Sequence, residues 1–152
     1  MWPPLQYILI QGLLNTPATF GPKDPSYAHL NSLALKMAQR YVDSTFCTWR
    51  VTGGSTPSLP PLEDVSQDAE GIMFEKYNST TTNAAGGGGE YEVVEGFGWS
   101  NGVLIWLADL FGRELRTPEC GELEAADVGG GERRRRAAVE LSRRDAAWVK
   151  RH

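Results

Sequence analysis

HLNSLALKMAQRYVDSTFCTW, residues 29–49, is the stretch on which the fold turns. Leu30, Leu33, Ala34, Met37, Ala38, Tyr41 and Val42 recur three and four positions apart. They form one apolar stripe, and Lys36, Gln39, Arg40 and Asp43 fall on the other side, the pattern of an amphipathic helix. Two further segments share the period. Pro3-Pro4 can open a helix, since proline fits the first turn, and Leu5, Ile8, Leu9, Gly12 and Leu13 then predict a helix over 3–14. Val103, Leu104, Leu107, Leu110 and Phe111 predict a last helix over 101–111, with Ser100 or Asn101 as its cap.

Irregular chain joins these helices. Thr16 to Tyr27 is rich in Pro, Gly and Ser and reads as a loop. Residues 51–70 hold Gly53-Gly54, Pro57, Pro60 and Pro61 and then acidic residues, the composition of an inserted, unpacked loop. Residues 78–90 are polar and end in Gly86 to Gly89. Alternating strand patterns are nearly absent and no repeat recurs at a fixed period. The expected class is therefore all-α with long loops.

The 152 residues carry a net charge of −4, which argues against a general affinity for nucleic acid. The charge is uneven: residues 1–112 hold −6 and residues 113–152 hold +2. The shift, with Gly129 to Gly131 and Arg133 to Arg136 beyond it, predicts a boundary near 112–118. Residues 1–112 then form the folded part and 113–152 a charged, weakly packed tail, with one exposed helix near 133–150. The arginine run alternatively reads as a nuclear or RNA-binding patch, diluted by acidic neighbours. No apolar run reaches the roughly 18 residues of a membrane helix, and no basic segment opens the chain.

Chemistry gathers between Met73 and Asn101. Glu75, Glu90, Glu92 and Glu95 lie among Tyr77, Tyr91, Phe97 and Trp99 and several glycines. Aromatic faces stack on sugar C–H bonds, and carboxylates accept from sugar hydroxyls. Paired carboxylates are also what glycoside hydrolysis requires. The plainer reading is a flexible surface loop before an amphipathic helix.

The strings themselves carry a resemblance. Met73-Phe74-Glu75-Lys76-Tyr77, Gly86-Gly87-Gly88-Gly89-Glu90-Tyr91 and Gly96-Phe97-Gly98-Trp99-Ser100-Asn101-Gly102-Val103 resemble, in order and spacing, the C-terminal part of α,α-trehalases. Trp2-Pro3-Pro4-Leu5-Gln6 resembles half of that family's proline–tryptophan signature. The resemblance covers residues 2 to about 112 and is absent after about 113. It implies the C-terminal portion of an (α/α)6 barrel and inverting hydrolysis of trehalose to two glucoses. Glu75 matches the family's general base. Glu90 matches a substrate-binding carboxylate, and Tyr91 and Trp2 match positions that shape the sugar pocket. The substrate is a small molecule, with no cofactor, no metal, no nucleic acid and no membrane segment.

Departures from the family pattern matter as much as the matches. The family's general acid is an aspartate in a motif upstream of the matched region, and these residues hold no counterpart. The chain alone is therefore expected to be inactive, since Glu75 cannot be acid and base at once. The alternative is a non-catalytic, trehalase-derived piece that binds sugar weakly or serves as scaffold. A partial toroid should also leave one side of helix 29–49 exposed.

Asn78 stands where the family usually has aspartate, which makes Asn78-Ser79-Thr80 a glycosylation sequon. Without a leader segment, coincidence is the plainer account. Gly86 to Gly89 lacks the Lys-Ser/Thr and preceding strand of a phosphate loop. His29 and His152 read as surface residues without partners at metal spacing. Cys47 and Cys120 are too few and too far apart for a disulfide scaffold, and Cys47 reads as a small buried hydrophobe. Trp49, Trp99 and Trp106 read as core before stacking platforms.

Overall fold

A computed structural model describes residues 1–21, 23–63, 65–66, 68–80, 84–86 and 93–120, the side chains of 17–20 excepted. The Gly86–Gly89 run beyond its first residue, Glu90, Tyr91, Arg133 to Arg136 and the expected helix near 133–150 lie outside the described residues. Three helices make up the regular structure: α1 (Pro3–Phe20), α2 (Tyr27–Val51) and α3 (Gly98–Phe111). Among the described residues there is no strand, only the isolated bridges Thr56↔Leu59, Phe74↔Glu95 and Tyr77↔Ala85. The chain is all-α, as its periodicities predict.

Each helix is longer than its pattern. α1 runs through Thr16 to Phe20, where a loop is expected. Pro17 withholds only the amide that would pair four residues back, and the Thr16 hydroxyl donates to the Gly12 carbonyl at 2.9 Å. The turn into α2 is set by Asp24, whose carboxylate accepts from the Ser26 amide at 2.8 Å and from its hydroxyl. Those bonds hold the Asp24 carboxyl below its usual range. α3 starts three residues early, and neither Ser100 nor Asn101 caps it; Phe97 occupies the cap position.

All three helices meet in one core of Ile10, Ala34, Ala38, Tyr41, Val103, Leu107 and Phe111. The small Ala34 and Ala38 let helix backbones approach, and Tyr41 fills the space they leave. α2 keeps an exposed side, as expected: His29, Ser32, Leu33, Lys36 and Arg40 are exposed, while ten of its residues are buried. The larger exposed apolar face belongs to α1: Leu5, Ile8 and Leu9 are each more than half exposed. α1 is apolar nearly all round, so periodicity alone selects the wrong face. Ile10, with Leu13 and Leu14 beside it, turns inward.

The loop after α2 is packed at its two ends, while the described residues from 55 to 70 between them are exposed or half-buried, as an inserted loop would be. The Gly54 amide donates to the Trp49 carbonyl at 2.8 Å, and the Ile72 amide to Thr52 Oγ1 at 2.8 Å. The buried Arg50 guanidinium donates to the Gly54 carbonyl. Gly54 and Gly71 lie against the Trp49 ring so closely that a Cβ at either would collide with it. Gly71 also has φ +77, a backbone that favours glycine.

Past α3 the chain stays on α2 despite the shift in composition. Leu115 packs against the core. Gln39 Oε1 accepts from the Arg116 amide at 2.8 Å, and Gln39 Nε2 donates to the Arg116 carbonyl at 3.2 Å. Cys47 and Cys120 form a disulfide with Cα atoms 5.4 Å apart. This corrects the reading of Cys47 as an inert hydrophobe. Sequence separation misleads here, because α2 and the segment after α3 run side by side.

Candidate active site

Residues 73–78 form a short segment, bridged at Phe74 and Tyr77 and bent at Glu75 and Lys76, that backbone hydrogen bonds stitch on both sides. The Glu75 amide donates to the Val94 carbonyl at 2.8 Å, and the Gly96 amide to the Met73 carbonyl at 2.7 Å. Across the other edge the Tyr77 amide donates to the Met1 carbonyl at 2.9 Å, and the Gly86 amide to the Lys76 carbonyl at 2.9 Å. Phe74 and Tyr77 are buried inward, and Glu75 and Lys76 are only 5% and 6% exposed.

Tyr77 anchors the segment from below. Its ring is 6.2 Å from Tyr41 and 6.4 Å from Phe74, both edge-on. Its hydroxyl accepts from the Phe74 amide at 3.2 Å. Burial pushes the Tyr77 hydroxyl up to about 12, with the Phe74 amide partly opposing. Burial, then the neighbouring Tyr77, pushes Tyr41 up as well. Both phenols are held neutral and act as struts.

α3 fastens the segment through its first turn. Ser100 Oγ donates to the Phe74 carbonyl, and the Ser100 carbonyl accepts from Tyr41 OH at 3.1 Å. Trp99 Nε1 donates to the Glu75 carbonyl at 2.9 Å. Ser100 is the third residue of α3, inside the helix and not at its cap, and spends its hydroxyl on the Glu75 segment.

Trp99 also builds an aromatic wall. Its ring is 5.8 Å from Trp2 and 4.3 Å from Phe97. The Lys76 ammonium lies 5.7 Å from the Trp2 ring centroid, within cation–π range. Glu75 and Trp2, both expected from the sequence to be site residues, thus share Trp99 and Lys76 as common neighbours. Glu90 and Tyr91, the other two, lie outside the described residues. Lys76, Tyr41 and Ser100 do not stand out in the sequence as site residues. Tyr41 reads as one more core residue of a helix, and only its partner on α3 reveals its second task. Trp49 and Trp106 do pack as structure, Trp106 against Tyr7 at 4.7 Å. His29 is exposed on α2, and no cluster of metal-binding side chains occurs among the described residues.

A family model described as Trehalase matches residues 61–112. A trehalase of Dictyostelium discoideum is 34% identical over 120 residues, 79% of this chain and 16% of that protein. The trehalase of Apis mellifera is 37% identical over 114 residues, 75% of this chain and 14% of that protein. The human trehalase is 32% identical over 114 residues, 75% of this chain and 15% of that protein. The chain thus spans about one sixth of the length of the curated relatives it matches. No solved structure matches it. Three ordered strings around one carboxylate and the same relatives across three quarters of the sequence agree: this chain belongs to the trehalase family.

Proposed function

We propose that Glu75 is the general base of an inverting trehalose hydrolysis. In that reading residues 1–112 contribute one part of a trehalase catalytic domain, and 113–152 lie outside it. The observation that carries it is the placement of Glu75. A buried carboxylate sits on backbone pinned by Val94 on one side and Trp99 on the other, beside a Trp2–Trp99 wall. A base must hold its water within hydrogen-bond reach of the reacting carbon, and rigid backbone supplies that precision.

Glu75 would take a proton from water as the water attacks the anomeric carbon of one glucose. A carboxylic acid from another part of the domain would protonate the departing glucose oxygen. Inversion needs about 6.5–9.5 Å between the two carboxyls to admit the water. Trp2 and Trp99 would stack on the sugar face, and Glu90 and Tyr91 would contact its hydroxyls and border. These residues on their own hold no counterpart to the acid, so they should not turn trehalose over unaided.

The test is a chimera in which residues 1–112 replace the matching segment of the Dictyostelium trehalase. It should release glucose from trehalose. Glu75→Gln, equal in shape, should lower kcat by about 100-fold to 10,000-fold while KM moves little, the usual share of a general base. Full activity of Glu75→Gln would refute the assignment.

A further inference from the structure

The Glu75 segment runs directly into a motif that hydrolysis does not use. Asn78-Ser79-Thr80 is the only Asn-X-Ser/Thr sequon in the chain. Ser79 and Thr80 are exposed and Asn78 is half-buried. Asn78 Oδ1 accepts from the Thr80 amide at 2.8 Å and from the Thr80 hydroxyl at 2.7 Å. The two functional side chains of the sequon are therefore already in register. The Asn78 amide donates to the Ala84 carbonyl at 3.0 Å, which ties the turn to the end of the Glu75 segment.

A three-residue motif recurs by chance, and on sequence alone coincidence is preferred. The disulfide changes that balance. Cys47 and Cys120 are bonded across 73 positions of sequence. Such bonds persist in oxidising compartments, which in eukaryotic cells are also where asparagine is glycosylated. Two features that share no residue point to one processing route.

We propose that Asn78 carries an N-linked glycan. The donor class is an oligosaccharide joined through C1 to a polyprenyl pyrophosphate. Asn78 Nδ2 forms the new bond to C1 as the C1–O bond to the pyrophosphate breaks. The bonding pair leaves on the pyrophosphate oxygen, and Nδ2 loses one proton. No oxidant or reductant takes part. The glycan stands at the outer end of the Glu75 segment, beyond the Tyr77↔Ala85 bridge, and marks that edge as facing solvent.

The proposal is tested on protein purified from the organism that makes it. Trypsin should release residues 77–113 as one peptide, since no Lys or Arg lies within it before Arg113. Glycan-removing amidase in heavy-oxygen water should convert Asn78, and neither Asn83 nor Asn101, to labelled aspartate. Expressed through a secretory route, Asn78→Gln and Thr80→Ala should each abolish the amidase-sensitive gel shift. Thr80→Ala keeps Asn78 itself, so a folding defect from losing that side chain does not decide the matter. Untreated peptide carrying bare Asn78 together with an intact Cys47–Cys120 crosslink would overturn the proposal. Bare Asn78 with both cysteines as thiols would overturn it too, and remove its ground.

Discussion

Trp99 Nε1 donates to the backbone carbonyl of Glu75 at 2.9 Å, so the first turn of α3 holds the proposed base by its main chain. The same indole forms the wall against Trp2. One residue thus couples the position of the carboxylate to the face on which a sugar would rest.

Trp99→Phe separates those tasks. It keeps most of the ring and removes the donor, leaving the Glu75 carbonyl without that partner. A lost hydrogen bond of this kind costs about 1 kcal/mol. The midpoint of urea unfolding should fall accordingly with its slope unchanged. Amide exchange at Glu75 and Lys76 should quicken more than exchange in the middle of α2. An unchanged midpoint and unchanged exchange would show that Trp99 does not hold the segment.

The buried phenols give a pH dependence with a defined sign. Burial raises Tyr77 from its ordinary 10.0 to about 12. Between those values an unfolded chain ionises this tyrosine and the folded chain does not. The unfolded state then binds fewer protons, so stability falls as pH rises. The contribution is fully present below about pH 10 and is lost through about pH 12, on the order of 2–3 kcal/mol for this one group. Tyr41 extends the decline further, since burial raises it as well. Tyrosinate absorbance measured alongside the unfolding midpoint should show these two phenols titrating only as the chain unfolds. Their early titration in folded protein would contradict the burial.

The helices, and Glu75 as the proposed base, are legible in the sequence because each rests on a local signal. A 3.6-residue period needs only neighbouring positions, and the Glu-Lys-Tyr string carries its own context. The rest depends on contacts distant in sequence. Nothing near Cys47 announces Cys120, since the pairing follows from how the chain after α3 runs beside α2. Ser100 resembles a cap until Phe74 is seen to take its hydroxyl. The core face of α1 escapes periodicity because a helix apolar on every side has no preferred stripe. The packed ends of loop 51–70 escape the sequence because proline and glycine mark turns equally well in packed and unpacked chain. Gly54 and Gly71 serve as the two sides of a slot for Trp49.

That slot predicts an asymmetric response to small substitutions. Gly54→Ala places a methyl group where the Trp49 ring now lies, and the ring must move. Overpacking of this kind costs about 1–3 kcal/mol. Gly71→Ala meets the same ring and also forces a side chain into φ +77, so it should cost more. Trp49→Ala should make Gly54→Ala much milder in a double-mutant cycle, because the ring is its obstacle, whereas Gly71→Ala should stay costly, because its Cβ would also meet the Gly54 Cα and φ +77 remains. Additive effects of Trp49→Ala and Gly54→Ala would show that Gly54 is required for another reason.

The disulfide predicts a local release with a measurable global cost. Cys120→Ser leaves the core cluster of Ile10, Ala34, Ala38, Tyr41, Val103, Leu107 and Phe111 untouched, since Cys120 is not part of it. It removes a crosslink closing 73 positions of chain, whose entropic effect on the unfolded state is on the order of 4 kcal/mol. Typical measured losses are smaller, about 2–4 kcal/mol, because unfolded chains retain structure. In the folded state Gln39 still holds Arg116 by two hydrogen bonds, and Leu115 still packs. The segment 113–120 should therefore stay docked but exchange faster, most visibly at the Arg116 amide. Glu75 and Tyr77, held by Val94, Met1 and α3 and not by this segment, should keep their protection. Equal quickening at Tyr77 and Arg116 would mean that the strap supports the whole domain and not its own edge alone.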